Sequence, residues 1–272
     1  MKTLKLVSAL IILFQVSIVS AAELSVEQVQ KFISISGLAA TIDTMPDQFQ
    51  QQINLQALTQ NDKVSVEKVR QAMESALAST NGYQIAESYL LARPDSQNLI
   101  NTIQFLESSL GQQVVAAEAS ANEPEFPVAM QSYTIEISKN PPSEQRTQLV
   151  DQLNEAMNSE DTIIDMLKTM MLVSADFFEG LNSEMSEDIR EAMEAEWEKM
   201  EPMLRAQMSQ YVILASYYVY KDLNDQQLSQ YIDFLESADG QVYSEASIEI
   251  FQRYVNSLIK AMLANIIEEA KS

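Results

Sequence analysis

The chain is predicted to be all-α, on three observations. Ala, Leu, Met, Gln and Glu, which are strong helix formers, dominate it. Only 5 Gly and 7 Pro occur among 272 residues, so long stretches run without a helix breaker. Two stretches also recur within the chain, which predicts two duplicated helical modules packed in tandem. The expected organisation is a signal peptide over 1–21, an N-terminal module over 22–140 and a C-terminal module over 141–272.

The leader is read from Lys2 and Lys5, the uncharged apolar run that follows them, and the small residues Ser20, Ala21 and Ala22. The run is shorter than the roughly 20 apolar residues of a membrane-spanning helix. Export to the periplasm or the medium, with no transmembrane segment in the mature chain, is therefore expected. Ser25 with Gln28 three residues on forms a capping box, and Val29, Phe32 and Ile33 follow at helical spacing. Further helices are expected at 42–58, 64–79, 83–92, 96–108 and 112–120. Pro124 and Pro127 interrupt the pattern ahead of a short helical or extended piece at 128–138. Asn140-Pro141-Pro142-Ser143 marks the module boundary. Helices at 143–157, 161–178, 184–200, 202–220, 225–237 and 241–270 follow, with Pro202 placed in a first turn.

The repeat is carried by Phe105-Leu106-Glu107-Ser108-Ser109-Leu110-Gly111-Gln112, which returns as Phe234-Leu235-Glu236-Ser237-Ala238-Asp239-Gly240-Gln241. Upstream, the six residues from Val69 to Glu74 return as those from Ile189 to Glu194. In the second copy, Asn224 and Gln227 are spaced for a capping box. Leu228, Tyr231 and Phe234 then share one helix face. Gly240 stands where a helix would end or bend, a place that suits the left-handed cap conformation. The Ser and Gly pairs (Ser108 and Gly111, Ser237 and Gly240) predict a helix–turn–helix corner with a structural role.

Tyr218, the stretch Leu223-Asn224-Asp225-Gln226-Gln227-Leu228, and the Phe234, Ser237 and Gly240 positions together resemble the domain-of-unknown-function family 2059. In that family a tyrosine precedes an F-T-x-E-E-L helix start and an F-Y-x-S-x-x-G segment. The resemblance covers 143–262, with the first copy more diverged. It implies an exported bacterial protein with a small all-helical domain, and it implies no activity. Asn224, Gln226, Gln227 and Leu235 depart from the family pattern, as does Leu106 in the first copy.

The chain contains no His and no Cys. Ser-His-Asp and Cys-His chemistry, disulfides, and imidazole or thiolate zinc sites are excluded. The five glycines are too scattered for a phosphate-cradling loop, so no nucleotide cofactor is expected, and no cofactor of any kind is indicated. The net charge of -22 opposes nucleic acid as a partner. Loss of Lys2 and Lys5 with the leader makes the mature chain more acidic still.

Carboxylates are densest over 184–201, where Glu187, Asp188, Glu191 and Glu194 form a stripe at helical spacing. A solvated face is the first reading of that stripe; a cation or basic-partner surface is the second. Nine of the 14 methionines lie between Met157 and Met208. They fit core packing first, then a groove for hydrophobic partners, then soft Cu(I) ligation. The expected role is a non-catalytic interaction or binding module for a protein, peptide or apolar ligand. Alternatives are a carrier of lipid-like molecules in a Met-rich inter-helix groove and a two-carboxylate hydrolase. The apolar stripe of the last helix, Ile248, Phe251, Val255, Leu258, Ile259, Met262, Leu263 and Ile266, is long enough to pack across both modules or onto another subunit.

Overall fold

The computed structural model describes residues 24–59, 63–181 and 186–271; side chains at 48–49, 51–59, 63–66, 170, 173–181, 186–189 and 268–271 fall outside that description. The expected signal peptide, 1–21, also lies outside the described residues. Among the described residues, twelve α-helices and one short 3-10 turn account for the regular structure, and no strand occurs. The helices are α1 (Val26–Ile35), α2 (Leu38–Thr59), α3 (Lys63–Ser79), α4 (Gly82–Leu91), α5 (Ser96–Glu107), α6 (Ser109–Ala119), α7 (Phe126–Lys139), α8 (Glu144–Ala156), α9 (Ser159–Leu181), α10 (Ser186–Val219), α11 (Asp225–Glu236) and α12 (Ala238–Lys271).

The capping signals act as the sequence predicts. Ser25 accepts from the Gln28 amide while the Gln28 side chain bonds back to the Ser25 amide. Asn224 and Gln227 make the same reciprocal pair at the start of α11, satisfying amides that a helix start leaves open. Ser143 caps α8. The 128–138 piece is fully helical, as part of α7.

The expected break at Pro202 is not there: the segments 184–200 and 202–220 are one continuous helix, α10, with Pro202 inside it. A proline removes one backbone hydrogen bond and crowds the preceding turn. Here side chains brace the turns around it. Trp197 donates from Nε1 to Glu201 at 2.9 Å, and Arg205 pairs with Glu201, Glu160 and Asp161, tying α10 to α9.

Two local geometries occur twice. α5 and α11 are both 12 residues long and begin 129 positions apart, at Ser96 and Asp225. Each ends in one extended residue, Ser108 or Ser237, whose Oγ accepts from the amide of Gly111 or Gly240 at 3.0 and 3.1 Å. The next helix starts at once. Gly240 has a negative φ, which overturns its expected left-handed cap role. Glycine is needed there because the new helix leaves so close to the old one. A Cβ at Gly240 would lie 2.0 Å from the Phe234 carbonyl oxygen, and one at Gly111 would lie 2.2 Å from that of Phe105.

The second recurrent geometry links α1 to α2 and α8 to α9. Gly37 (φ 84) and Asn158 (φ 48) are left-handed, each following a helix whose last turn buries Phe32 or Leu153. Glycine and asparagine are the residues that tolerate this conformation.

The core is shared by both halves of the chain. Phe105 stacks on Phe234, the equivalent residue of the other corner, with ring centroids 3.7 Å apart and planes inclined by 4°. Leu99, Ile103 and Leu106 of α5 join Leu228, Ile232 and Leu235 of α11 in one continuous cluster. Thr102 donates to the Asp239 carbonyl at 3.0 Å, and Asn98 to the Asp239 carboxylate at 2.8 Å, so α5 lies beside the start of α12. The stripe of α12 buries Val255, Leu258 and Ile259, and that helix packs against α3, α4, α5, α9 and α11.

The corners generate a stability prediction. Gly to Ala inside a helix ordinarily stabilises by up to about 1 kcal/mol, but at Gly111 or Gly240 the close approach to backbone reverses the sign. Gly240→Ala is expected to cost about 1–3 kcal/mol and Ser237→Ala about 1 kcal/mol, both read from urea unfolding midpoints.

Candidate functional site

The residues singled out in the repeat are structural in position. Leu223 and Leu228 are buried, Asn224 is the α11 cap, and Phe105, Phe234, Ser108, Ser237, Gly111 and Gly240 build the two corners. Tyr218 meets Phe126 and Tyr133 edge-on, with Lys221 over its ring at 3.8 Å, and so holds α7 against α10. In the acidic stripe, Glu191 and Glu194 are exposed on α10, while Glu187 and Asp188 lie outside the described side chains. Among the described residues, no group of three or more acidic side chains is arranged to hold a metal ion.

A partly open cavity of about 420 Å³ lies apart from the residues singled out in the repeat. Leu38 and Thr41 of α2 form one wall, and Thr162, Ile163 and Met166 of α9 form another. α6 contributes Val115, Glu118 and Ala119; α12 contributes Ser244, Ser247, Ile248 and Phe251. Tyr231 and Leu235 of α11 and Met157 just past α8 also line it, with the polar Asn122, Ser159 and Gln252 among the remaining lining residues. Equivalent positions line it in pairs 129 apart: Val115 with Ser244, Glu118 with Ser247, Ala119 with Ile248. Of the methionine-rich stretch, Met157 and Met166 reach this wall, whereas Met203 is exposed.

Among the described residues, Glu118 is the one carboxylate of the lining, and no Lys or Arg lines it. Its Oε1 accepts two hydrogen bonds, from the hydroxyls of Tyr220 at 2.8 Å and Tyr231 at 2.6 Å. Both tyrosines are buried. The Glu118 residue keeps partial accessibility because it borders the cavity, while its carboxyl is deep enough for desolvation to raise its pKa above the ordinary value. The two hydroxyls pull the other way by bonding the charged form. Burial, reinforced by the Glu118 charge, pushes Tyr220, Tyr231 and Tyr243 well above their usual range. Those phenols therefore stay neutral donors at any ordinary pH. The Tyr243 hydroxyl is committed to the Ser36 carbonyl at 3.2 Å. Ser247, across the sequence repeat from Glu118, has a buried Oγ with no hydrogen-bond partner among the described residues.

Sequence reasoning missed Glu118. Its signal was local: a lone acid in Val114-Val115-Ala116-Ala117-Glu118-Ala119, a run apolar all round, which is where a charge needs a buried partner. Its partners come from α10 and α11, over a hundred positions away, and spacing along the chain could not pair them.

Among the described residues, fold and site thus define an all-helical protein with a partly open, mostly apolar cavity and one carboxyl in its wall. No family model, curated protein or solved structure matches the chain. Among the described residues, no helix is long and apolar enough to cross a membrane.

The carboxyl makes stability depend on pH. A raised folded-state value means that the folded chain holds a proton which the unfolded chain releases near 4.5. Glu118 therefore favours unfolding progressively as pH rises from that value through its folded one. Glu118→Gln cannot ionise, so its stability relative to wild type is expected to improve across that range, as followed by urea melts at a series of pH values. Tyr231→Phe is expected to cost about 1.5–3 kcal/mol in the same melts, and more at high pH, where the lost donor would have met an ionised carboxylate.

Proposed function

We propose that this chain is a non-catalytic binding protein that holds a small apolar molecule in the cavity between its helices. The observation that carries this reading is the cavity itself, of about 420 Å³, mostly apolar and furnished with few polar groups. Those are the features of ligand sites in helical proteins, which are commonly concave, apolar and oriented by a small number of hydrogen-bonding groups. Of the partners expected from sequence, a small apolar ligand fits better than a peptide, since helices bound the space on several sides.

Duplication followed by interlocking supports the reading. The paired corners and the matching left-handed links make two related modules the simplest origin of the fold, and equivalent positions from each line the cavity. On this view the modules do not sit side by side; each supplies half of one container. The leader pattern and the resemblance to family 2059 favour an exported protein that works in the periplasm or outside the cell. There it would carry or buffer a lipid-like molecule in water, with its acidic surface keeping it soluble.

Titration with the apolar fluorophore N-phenyl-1-naphthylamine tests this. One-to-one binding with a dissociation constant in the range of about 1–100 μM is expected. Ala119→Trp, which adds an indole to the cavity wall, should weaken it at least about tenfold with helical circular dichroism unchanged. Equal binding by the filled variant would place the probe elsewhere and remove the reading.

A further inference from the structure

We infer that the cavity selects amphiphiles with a cationic amine head, and that Glu118 is the group that receives it. This rests on the reading of the cavity as a container and names the class of ligand.

Among the described residues, the wall presents one carboxylic acid and no Lys or Arg. Tyr220 and Tyr231 both donate to the same oxygen, Oε1, which leaves Oε2 without a hydrogen bond among the described residues. The Glu118 residue keeps partial exposure and lines the cavity. An acid arranged in this way is half satisfied. Two neutral donors hold and orient it, but no cation balances its charge, and an unpaired charge in an apolar wall is costly.

Ser247 is a neighbouring polar residue of the same wall, with its hydroxyl oxygen closed off from the cavity space. It lines the same cavity at the position equivalent to Glu118, and its buried Oγ has no partner among the described residues. A primary ammonium group has three N–H donors. It can give one to the Glu118 carboxylate, which the described lining presents to the cavity. A carboxylate head would meet Glu118 with like charge and find no basic residue in the lining. An alcohol could satisfy the hydrogen bonds and leave the charge unbalanced.

The rest of the wall fits the apolar body of such a molecule. Leu38, Met157, Met166, Ile248 and Phe251 offer apolar surface, and the two thioethers adapt to chains of different shape. The acidic surface of the whole chain, at -22, raises the local concentration of cations and of no other head group.

Proton linkage follows. Titratable groups facing Glu118 are Tyr220 at the end of α10, Tyr231 on α11 and Tyr243 on α12, all held neutral. The α2, α8 and α9 segments contribute Leu38, Thr41, Met157, Thr162, Ile163 and Met166 to the lining, none of which titrates. Glu118 is therefore the group whose ionisation admits the amine. Ammonium binding should displace its proton, so affinity rises with pH until the empty carboxyl is already ionised. An alkylamine, with a pKa near that of Lys at about 10.4, stays charged throughout.

Calorimetric titration of the full chain with decylamine, decanol and decanoate, at about pH 5 and about pH 8, tests the assignment. Decylamine should bind at least about tenfold more tightly than decanol at the higher pH, and its affinity should rise between the two. Glu118→Gln should bring the amine to within about threefold of decanol, both measured on that variant. That variant removes one of 39 acids, so diffuse attraction to the surface survives it. The pH dependence of the wild type separates the same outcomes without any variant. Equal wild-type binding of decylamine and decanol, or an amine preference that persists in Glu118→Gln, would overturn the head-group assignment and leave the container standing. Failure of all three probes to bind would overturn both.

Discussion

Contact between two phenylalanine rings is the constraint from which the rest of this fold follows. Phe105 and Phe234 stand within one turn of the ends of α5 and α11, and their rings stack at 3.7 Å just where both helices end. The chain meets that demand in the same way twice. A serine in extended conformation closes one helix and caps the next, and a glycine lets the new helix leave against the old backbone. Once the rings are stacked, α5 lies beside α12 and α6 beside α11. Each half then completes the other. The α1–α2 and α8–α9 links are carried on left-handed residues to opposite walls, and the space left between them is the cavity.

The same arrangement brings Tyr231 against both phenylalanine rings and puts its hydroxyl on Glu118. Packing and electrostatics are therefore joined at one residue. The flat face of Tyr231 belongs to the aromatic stack and its polar tip belongs to the cavity, a division of labour suited to tyrosine. A carboxyl in an apolar wall opposes folding unless bonded, and two phenols reduce that cost without neutralising the charge. Stability is given up locally for a polar group at a defined place.

Polar clamps elsewhere have a simpler role. Arg93, only 9% exposed in its side chain, pairs with Asp95 and with Glu245, fastening the α4–α5 link to α12. Arg146 bonds the Leu223 carbonyl and Asp225, fastening α8 to the α10–α11 link. Both cross between distant parts of the chain at the ends of helices, where backbone groups need partners. They fix register and border no part of the cavity.

The sequence by itself determined the local structure. Helix formers, the Ser25–Gln28 and Asn224–Gln227 boxes, and the serine and glycine spacings dictate where helices start and stop, because those signals act within a turn or two of the chain. Local rules also misled. Pro202 reads as a helix start, yet bonds from Trp197 and Arg205 hold the helix through it. Gly240 reads as a left-handed cap, yet the reason for glycine is a backbone of the preceding helix that the spacing does not show. The cavity, the pairing of Glu118 with Tyr220 and Tyr231, and the interlocking of the halves were decided only by tertiary structure. Each depends on side chains from elements a hundred or more positions apart, and a one-dimensional pattern says which face of a helix is apolar without saying what lies opposite it.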